Sequence, residues 1–183
     1  DFAFTGGLHS NHLDYRFRVK QNFGLNKNFY KGKLLNGNRK IKIFWAEWGA
    51  KHLITRKSLL PTGEKYFKFL SNCKTFLSTT SALGIIGTRF YELMILGSVP
   101  LIPDNTEFSK FGKELFIDKE TCLYFGEKTR SIFDAIFLIL DNEDLFNFIL
   151  KNNKELVLND HNYSRRISKL IYEIDNLKKN NLI

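Results

Sequence analysis

The most constraining feature of this chain is the run from Thr75 to Pro103. Thr75-Phe76-Leu77-Ser78-Thr79 reads as a strand and Ser81 to Gly87 as a small-residue loop. Thr88 to Leu96 then reads as a helix closed by Gly97, and Val99 to Ile102 as a buried strand ended by Pro103-Asp104. A strand, a glycine loop, a helix and a strand within about 30 residues is the length of a βαβ unit. Strands joined in this way run parallel with a right-handed crossover. The expectation is an open, mostly parallel α/β sheet with helices on both faces.

The flanking segments fit that expectation. Phe2-Ala3-Phe4-Thr5 is a short apolar strand that stops at Gly6-Gly7. Asn11 to Phe23 reads as a helix with Leu13, Phe17 and Val19 inward and Arg16, Arg18 and Lys20 on the polar side. Gly24 to Asn38, rich in Asn, Gly and Lys, reads as a loop, and Lys40 to Trp45 as a second strand. Pro61-Thr62-Gly63 is a turn, with Thr62 a candidate N-cap for a helix from Glu64 to Asn72. Leu115 to Ile117 and Leu123 to Phe125 are shorter strand candidates, and Thr129 to Leu140 and Asp144 to Lys151 look helical. Ser164 to Leu177 reads as a closing helix with Ile167, Leu170, Ile171 and Ile174 inward. No repeat, low-complexity tract or linker interrupts residues 1–183, so they read as one α/β domain.

Composition narrows the function classes. With 183 residues, 43% of them hydrophobic, the chain can bury a core without disulfides, which excludes a disordered chain or a stapled miniprotein. Its longest apolar run, Ala135 to Leu140, is far short of the ~20 residues of a membrane span. Cys73 and Cys122 lie far apart with no CxxC spacing, which favours free thiols in a reducing compartment, the cytoplasm, over a disulfide or a zinc site. The net charge of +9 is lopsided: residues 1–75 carry 15 Lys/Arg against 4 Asp/Glu, and residues 76–183 are nearly neutral. The basic half suits an anionic partner, whether nucleic acid, a lipid surface or a phosphorylated ligand; a solubilising surface is the plainer reading.

Chemistry is best placed at Gly84-Ile85-Ile86-Gly87-Thr88-Arg89-Phe90-Tyr91-Glu92. Thr88 can cap the following helix, whose free N–H groups and dipole favour an anion. Gly84 and Gly87 allow close approach to the backbone, and Arg89 supplies a fork of donors suited to phosphate oxygens. Glu92, one helical turn on, is an acceptor suited to ribose hydroxyls. The plainer reading is an ordinary i,i+3 ion pair between Arg89 and Glu92. Gly6-Gly7 offers a second close approach at a strand's carboxyl end, where ligands of open α/β sheets gather, or is simply a turn. Arg16 and Arg18 face either that crevice or solvent. His9, His12, His52 and His161 have no metal-ligand spacing, and His9 and His12 line either the crevice or the surface. Asp104 serves a ligand or a turn, and Trp45 and Trp48 flank Glu47 as packing residues or, more remotely, as a sugar-stacking pair. GxGxxG, GxSxG, P-loop and HExxH signatures are absent.

These residues resemble a known family. KTFLSTTSALGIIGTRFYELMILGSVPLI is similar to the donor-binding segment in the C-terminal half of group 1 glycosyltransferases of the two-Rossmann-domain (GT-B) architecture, notably those whose motif reads Arg-aromatic-x-Glu. DFAFTGG with Arg16 resembles the first strand, glycine turn and Arg-bearing helix of that half. LNDHNYSRRISKLI resembles its closing helix, with His161, Tyr163 and Arg166 at the matching places.

The resemblance implies a single Rossmann-like, sugar-nucleotide-binding domain over residues 1–183. Arg89 matches the contact to the donor diphosphate and Glu92 the ribose-binding carboxylate. Gly6 and Gly7 match the turn facing the diphosphate, Arg16 lies on the adjoining helix, and Gly87 and Thr88 match the loop and helix start beneath. The sequence shows no metal-ligand cluster, so a metal-independent site is expected, and the resemblance implies a nucleoside diphosphate sugar as donor substrate with no resident cofactor. The acceptor is a glycan, lipid or protein. Many retaining members carry a second glutamate eight residues before the first; Gly84 stands there, so exostosin-like and fucosyltransferase-like relatives stay open. An N-terminal acceptor domain has no counterpart here, so a further domain or a partner chain is expected, and the basic first half adds a peripheral membrane contact as an expected partner. Two other classes remain: a catalytically silent binding or scaffold module, and a basic nucleic-acid binder, against which stands the lack of any nucleic-acid motif.

Overall fold

The structure, a computed structural model, describes residues 1–6, 13–47, 58–80, 86–108 and 110–179. Its centre is β1 (Phe2–Gly6), every residue of which is buried. β1 runs parallel to β3 (Arg39–Glu47) on one side and β4 (Thr75–Leu77) on the other. Parallel pairing continues through β5 (Val99–Pro103) to β6 (Leu123–Phe125), and β2 (Phe29–Asn36) closes the far edge antiparallel to β3. The six-stranded order β2-β3-β1-β4-β5-β6 makes this a single Rossmann-like α/β sheet. The strand order reverses at β1, so the crevice outside the carboxyl ends of β1 and β4 is its topological switch point.

Strand alternation assigns the helices to their faces. Phe2, Phe4, Leu77, Val99, Leu101, Leu123 and Phe125 face a core closed by Val19 of α1 (Leu13–Asn22), by Phe23 in the turn after it, and by Ile132, Ile136 and Ile139 of α5 (Ile132–Asp141). Ala3 and Phe76 point the other way, against Leu70 of α2 (Glu64–Ser71) and Leu93 of α3 (Thr88–Leu96). Ile102 and Cys122 share that second face with Phe90 and Met94 of α3 and Leu115 of α4 (Lys110–Leu115). α6 (Glu143–Asp160) joins the two cores, with Ile149 in the first and Val157 in the second. It passes the amino ends of β4 and β5, where Lys74 lies over Phe146 and Leu150 over Gly97. No described helix is long and apolar enough to cross a membrane. Cys73 and Cys122 are free and buried, and burial pushes the Cys73 thiol up to about 11.

The central βαβ unit has its expected form: β4 and β5 pair in parallel, joined through α3, and Gly97 closes α3 in the left-handed conformation (φ 91°). Several local expectations are corrected. Gly24 to Asn38 is no loop, because Phe29 to Asn36 form β2, hairpinned to β3 through a turn at Gly37 (φ 59°). An edge strand needs only one apolar face, here Tyr30 and Leu34, and at Gly32 a Cβ would lie 2.8 Å from the Tyr30 hydroxyl, so a side chain there would displace that ring. Thr62 does not cap α2, whose N-cap is Gly63, and Thr88 is the first residue of α3 rather than its cap, which is Gly87. Leu115 ends α4 instead of opening a strand; only a bridge between Asp118 and Cys122 forms there. The helix expected from Thr129 starts at Ile132, where Ser131 caps it by accepting from Asp134 N–H at 3.1 Å.

Two helix faces also differ from expectation. On α1 Val19 is buried as expected and Arg16 is half-buried, whereas Phe17 is exposed and Phe23, in the turn after the helix, is buried in its place. α7 (Tyr163–Lys179) buries none of its residues, and Ile167, Leu170 and Ile171 are all more than half exposed. Helical periodicity reports which residues share a face; it does not supply the partner that covers it.

Candidate functional site

Two arginines from distant parts of the chain meet at the switch point. Arg89, in the first turn of α3, reaches back to β1, where its Nη1 donates to the Thr5 carbonyl and, at 2.7 Å, to the Thr5 hydroxyl. Arg16, from α1, donates from Nε to the Thr79 hydroxyl at 2.6 Å, just past the end of β4, and again from Nη2. Aromatic rings carry both guanidiniums: Phe4 lies 5.7 Å from Arg16, and Tyr66 and Phe76 lie 5.7 and 5.6 Å from Arg89. Burial, and then the nearby charge of Arg89, lower the Arg16 pKa. Like charges held together in partial burial favour an anion between or beside them.

Glu92 stands one turn along α3 and forms no ion pair with Arg89 among the described residues. Its Oε2 accepts from the Tyr66 hydroxyl of α2 at 3.2 Å instead. Burial raises the Tyr66 pKa, opposed by Arg89 and reinforced by the Glu92 carboxylate. Arg89 extends towards the sheet while Glu92 is held by α2, so α3 presents a cation and an acceptor as separate groups.

Gly87, the N-cap of α3, is exposed and extended (φ −77°), and a Cβ there would meet nothing within 4 Å among the described residues. Neither its dihedrals nor its packing calls for glycine, whereas a ligand approaching the helix N-terminus would. Thr88 is exposed beside it. Gly6 ends β1 opposite Glu47 of β3. Gly7, Gly84, His9, His12, His52 and Trp48 lie outside the described residues.

The carboxyl end of β3 carries an ion pair that the sequence reading did not single out. Glu47, buried at the carboxyl end of β3, pairs with Lys20 of α1 at 2.6 Å and accepts from the Trp45 indole at 3.0 Å. Trp45 is core, fully buried against Phe4. Asp104 is occupied in a turn, accepting from the Lys128 N–H at 2.7 Å and the Thr129 hydroxyl at 3.1 Å. Arg18 turns outward to Glu127, 3.4 Å away. The closing motif reaches α3 from the far side: His161 packs on Tyr91 and the Arg166 guanidinium lies 4.6 Å from that ring, while Tyr163 is exposed. Thr5, Thr79 and Tyr66 escaped sequence reasoning because their partners lie 84, 63 and 26 residues away.

The fold and these contacts define a Rossmann-like α/β domain in which two arginines meet at the switch point of the sheet. The chain belongs to the glycosyl transferase-like family, whose sequence model matches residues 28–172. That match includes α3 with Arg89 and Glu92 and leaves β1 and Arg16 outside. Comparison with curated proteins returns no match.

Proposed function

We propose that this chain binds a nucleoside diphosphate sugar at the switch-point crevice and serves transfer of the sugar to an acceptor hydroxyl. The observation that carries the reading is the convergence of Arg16 and Arg89 on the carboxyl ends of β1 and β4, beside the N-terminus of α3. The diphosphate lies against Gly87 and Thr88, where the first N–H groups of α3 are unpaired by helix geometry. Arg89 and Arg16 bind its oxygens, exchanging their threonine bonds for stronger charged ones. Glu92, aligned by Tyr66, accepts from the ribose hydroxyls.

The crevice acts on the leaving group. As the glycosidic bond to the diphosphate lengthens, negative charge gathers on the bridging oxygen. Fixed donors aimed there stabilise the transition state more than the ground state. Family membership supports glycosyl transfer in general. The nucleotide donor rests on the crevice chemistry. In this reading the chain is the C-terminal, donor-binding half of a GT-B enzyme, and an acceptor-binding domain faces the same crevice.

Arg89→Ala tests the assignment. Loss of a charged hydrogen bond should weaken UDP or GDP by roughly 1.5–3 kcal/mol, about 10- to 150-fold in Kd. Unchanged titration isotherms for both nucleotides would refute it.

A further inference from the structure

The crevice at the carboxyl edge accounts for few of the basic residues; others gather at the opposite edge of the sheet. β1 begins opposite Ile43, so the tip of the β2–β3 hairpin overhangs the amino edge. Register places Lys31 opposite Phe44, Lys33 opposite Lys42, and Leu35 opposite Lys40, so all six side chains share one hairpin face. The four lysines are exposed, and none makes an ion pair among the described residues. Lys31, Lys33 and Lys42 rim a groove of about 540 Å³ that includes Phe44 and Phe69 in its walls. Asp1 also lines it, with one carboxylate oxygen taken by the Lys42 N–H at 2.8 Å. Directly opposed like charges such as Lys33 and Lys42 destabilise a sheet, so this face carries a cost that the fold does not require.

From this charge complementarity we propose that the hairpin face docks on an anionic lipid bilayer. Three features select a bilayer over other polyanions. The cations are lysines, point charges on long stems without the bidentate fork suited to individual phosphates. Leu35, 67% exposed, stands directly across from Lys40, so an apolar group can enter the acyl boundary while ammonium groups stay at headgroup level. The nearby rings Phe29, Phe44 and Phe69 pack on one another, with Phe29–Phe44 and Phe44–Phe69 centroids 5.6 and 4.5 Å apart, instead of offering free faces for bases to stack on. Docking at the amino edge leaves the carboxyl-edge crevice uncovered.

Co-sedimentation of the chain with vesicles tests this, using neutral phosphatidylcholine and the same lipid with about one third phosphatidylglycerol. Each lysine near an anionic surface contributes about fivefold in partitioning. Lys33→Gln/Lys42→Gln should therefore bind anionic vesicles roughly 25-fold less than wild type. Its thermal midpoint should hold or rise, since a like-charge pair is gone, which separates lost docking from lost folding. Lys151→Gln/Lys154→Gln, exposed on α6, should bind as wild type does. Leu35→Trp should show a blue-shifted emission only with anionic vesicles. Equal binding to neutral vesicles, an equal loss in the α6 variant, or tighter binding to duplex DNA or heparin at the same salt would overturn the proposal.

Discussion

Removing the Tyr66 hydroxyl tests how Glu92 is prepared. In Tyr66→Phe the ring remains, so its packing on α2 and its position 5.7 Å from the Arg89 guanidinium are retained. The lost group is the donor to Glu92 Oε2, at 3.2 Å a long bond in a half-buried setting. Such a bond contributes about 1 kcal/mol, or about fivefold in an equilibrium constant. Its full loss from folding would lower the midpoint by about 2–4 °C in a chain of this size. If Glu92 receives the ribose hydroxyls, its misalignment should weaken UDP about fivefold and leave 2′,3′-dideoxy-UDP unchanged. Isothermal titration of both nucleotides against both proteins gives the four affinities. Equal weakening of the two ligands would refute the reasoning, because the bond would then act on the fold or the phosphates and not on hydroxyl recognition.

Two further perturbations separate binding from stability. Gly87→Ala should leave the thermal midpoint almost unchanged, since a Cβ there meets open space among the described residues, yet weaken nucleoside diphosphates in titration; unaltered affinity would remove Gly87 from the site. Burial alone would raise the Asp118 pKa, but the Arg130 guanidinium and the Tyr124 N–H outweigh it and hold the carboxyl below its usual value. Because the folded pKa is depressed, this stabilisation is present above pH ~3.8 and is lost as pH falls through the folded value. Asp118→Asn should therefore lower the midpoint near neutrality and flatten its fall in acid, as followed by thermal melts across pH.

The legible parts of the sequence were those whose cause is local. The βαβ unit announced itself because apolar strands, a glycine loop and a 3.6-period helix sit side by side between Thr75 and Pro103, ending in glycine at the C-cap. β2 was hidden because its alternation is interrupted by Gly32 and diluted by lysines, although Gly37-Asn38 between it and β3 is a strong hairpin signal. The exposed stripe of α7 misled for a related reason: Ile167, Leu170 and Ile171 have the spacing of a buried face, and spacing is all that periodicity measures. At the site, Arg16, Arg89 and Glu92 could be named from residue type and position. Their supports could not, because Thr5, Thr79 and Tyr66 reach them only after β1, β4 and α2 have assembled. The choice between an Arg89–Glu92 pair and two separate groups likewise needed the Tyr66 hydroxyl in place.

The central claim is that the arginine pair holds a diphosphate attached to a nucleoside. The most direct measurement compares UDP and GDP with UMP and GMP by titration into the wild-type chain and into Arg16→Ala/Arg89→Ala. A nucleoside diphosphate should bind the wild type roughly 1.5–3 kcal/mol more tightly than its monophosphate, and that difference should disappear in the double variant. Equal affinity for diphosphate and monophosphate in the wild type, or a difference that survives loss of both arginines, would contradict the account.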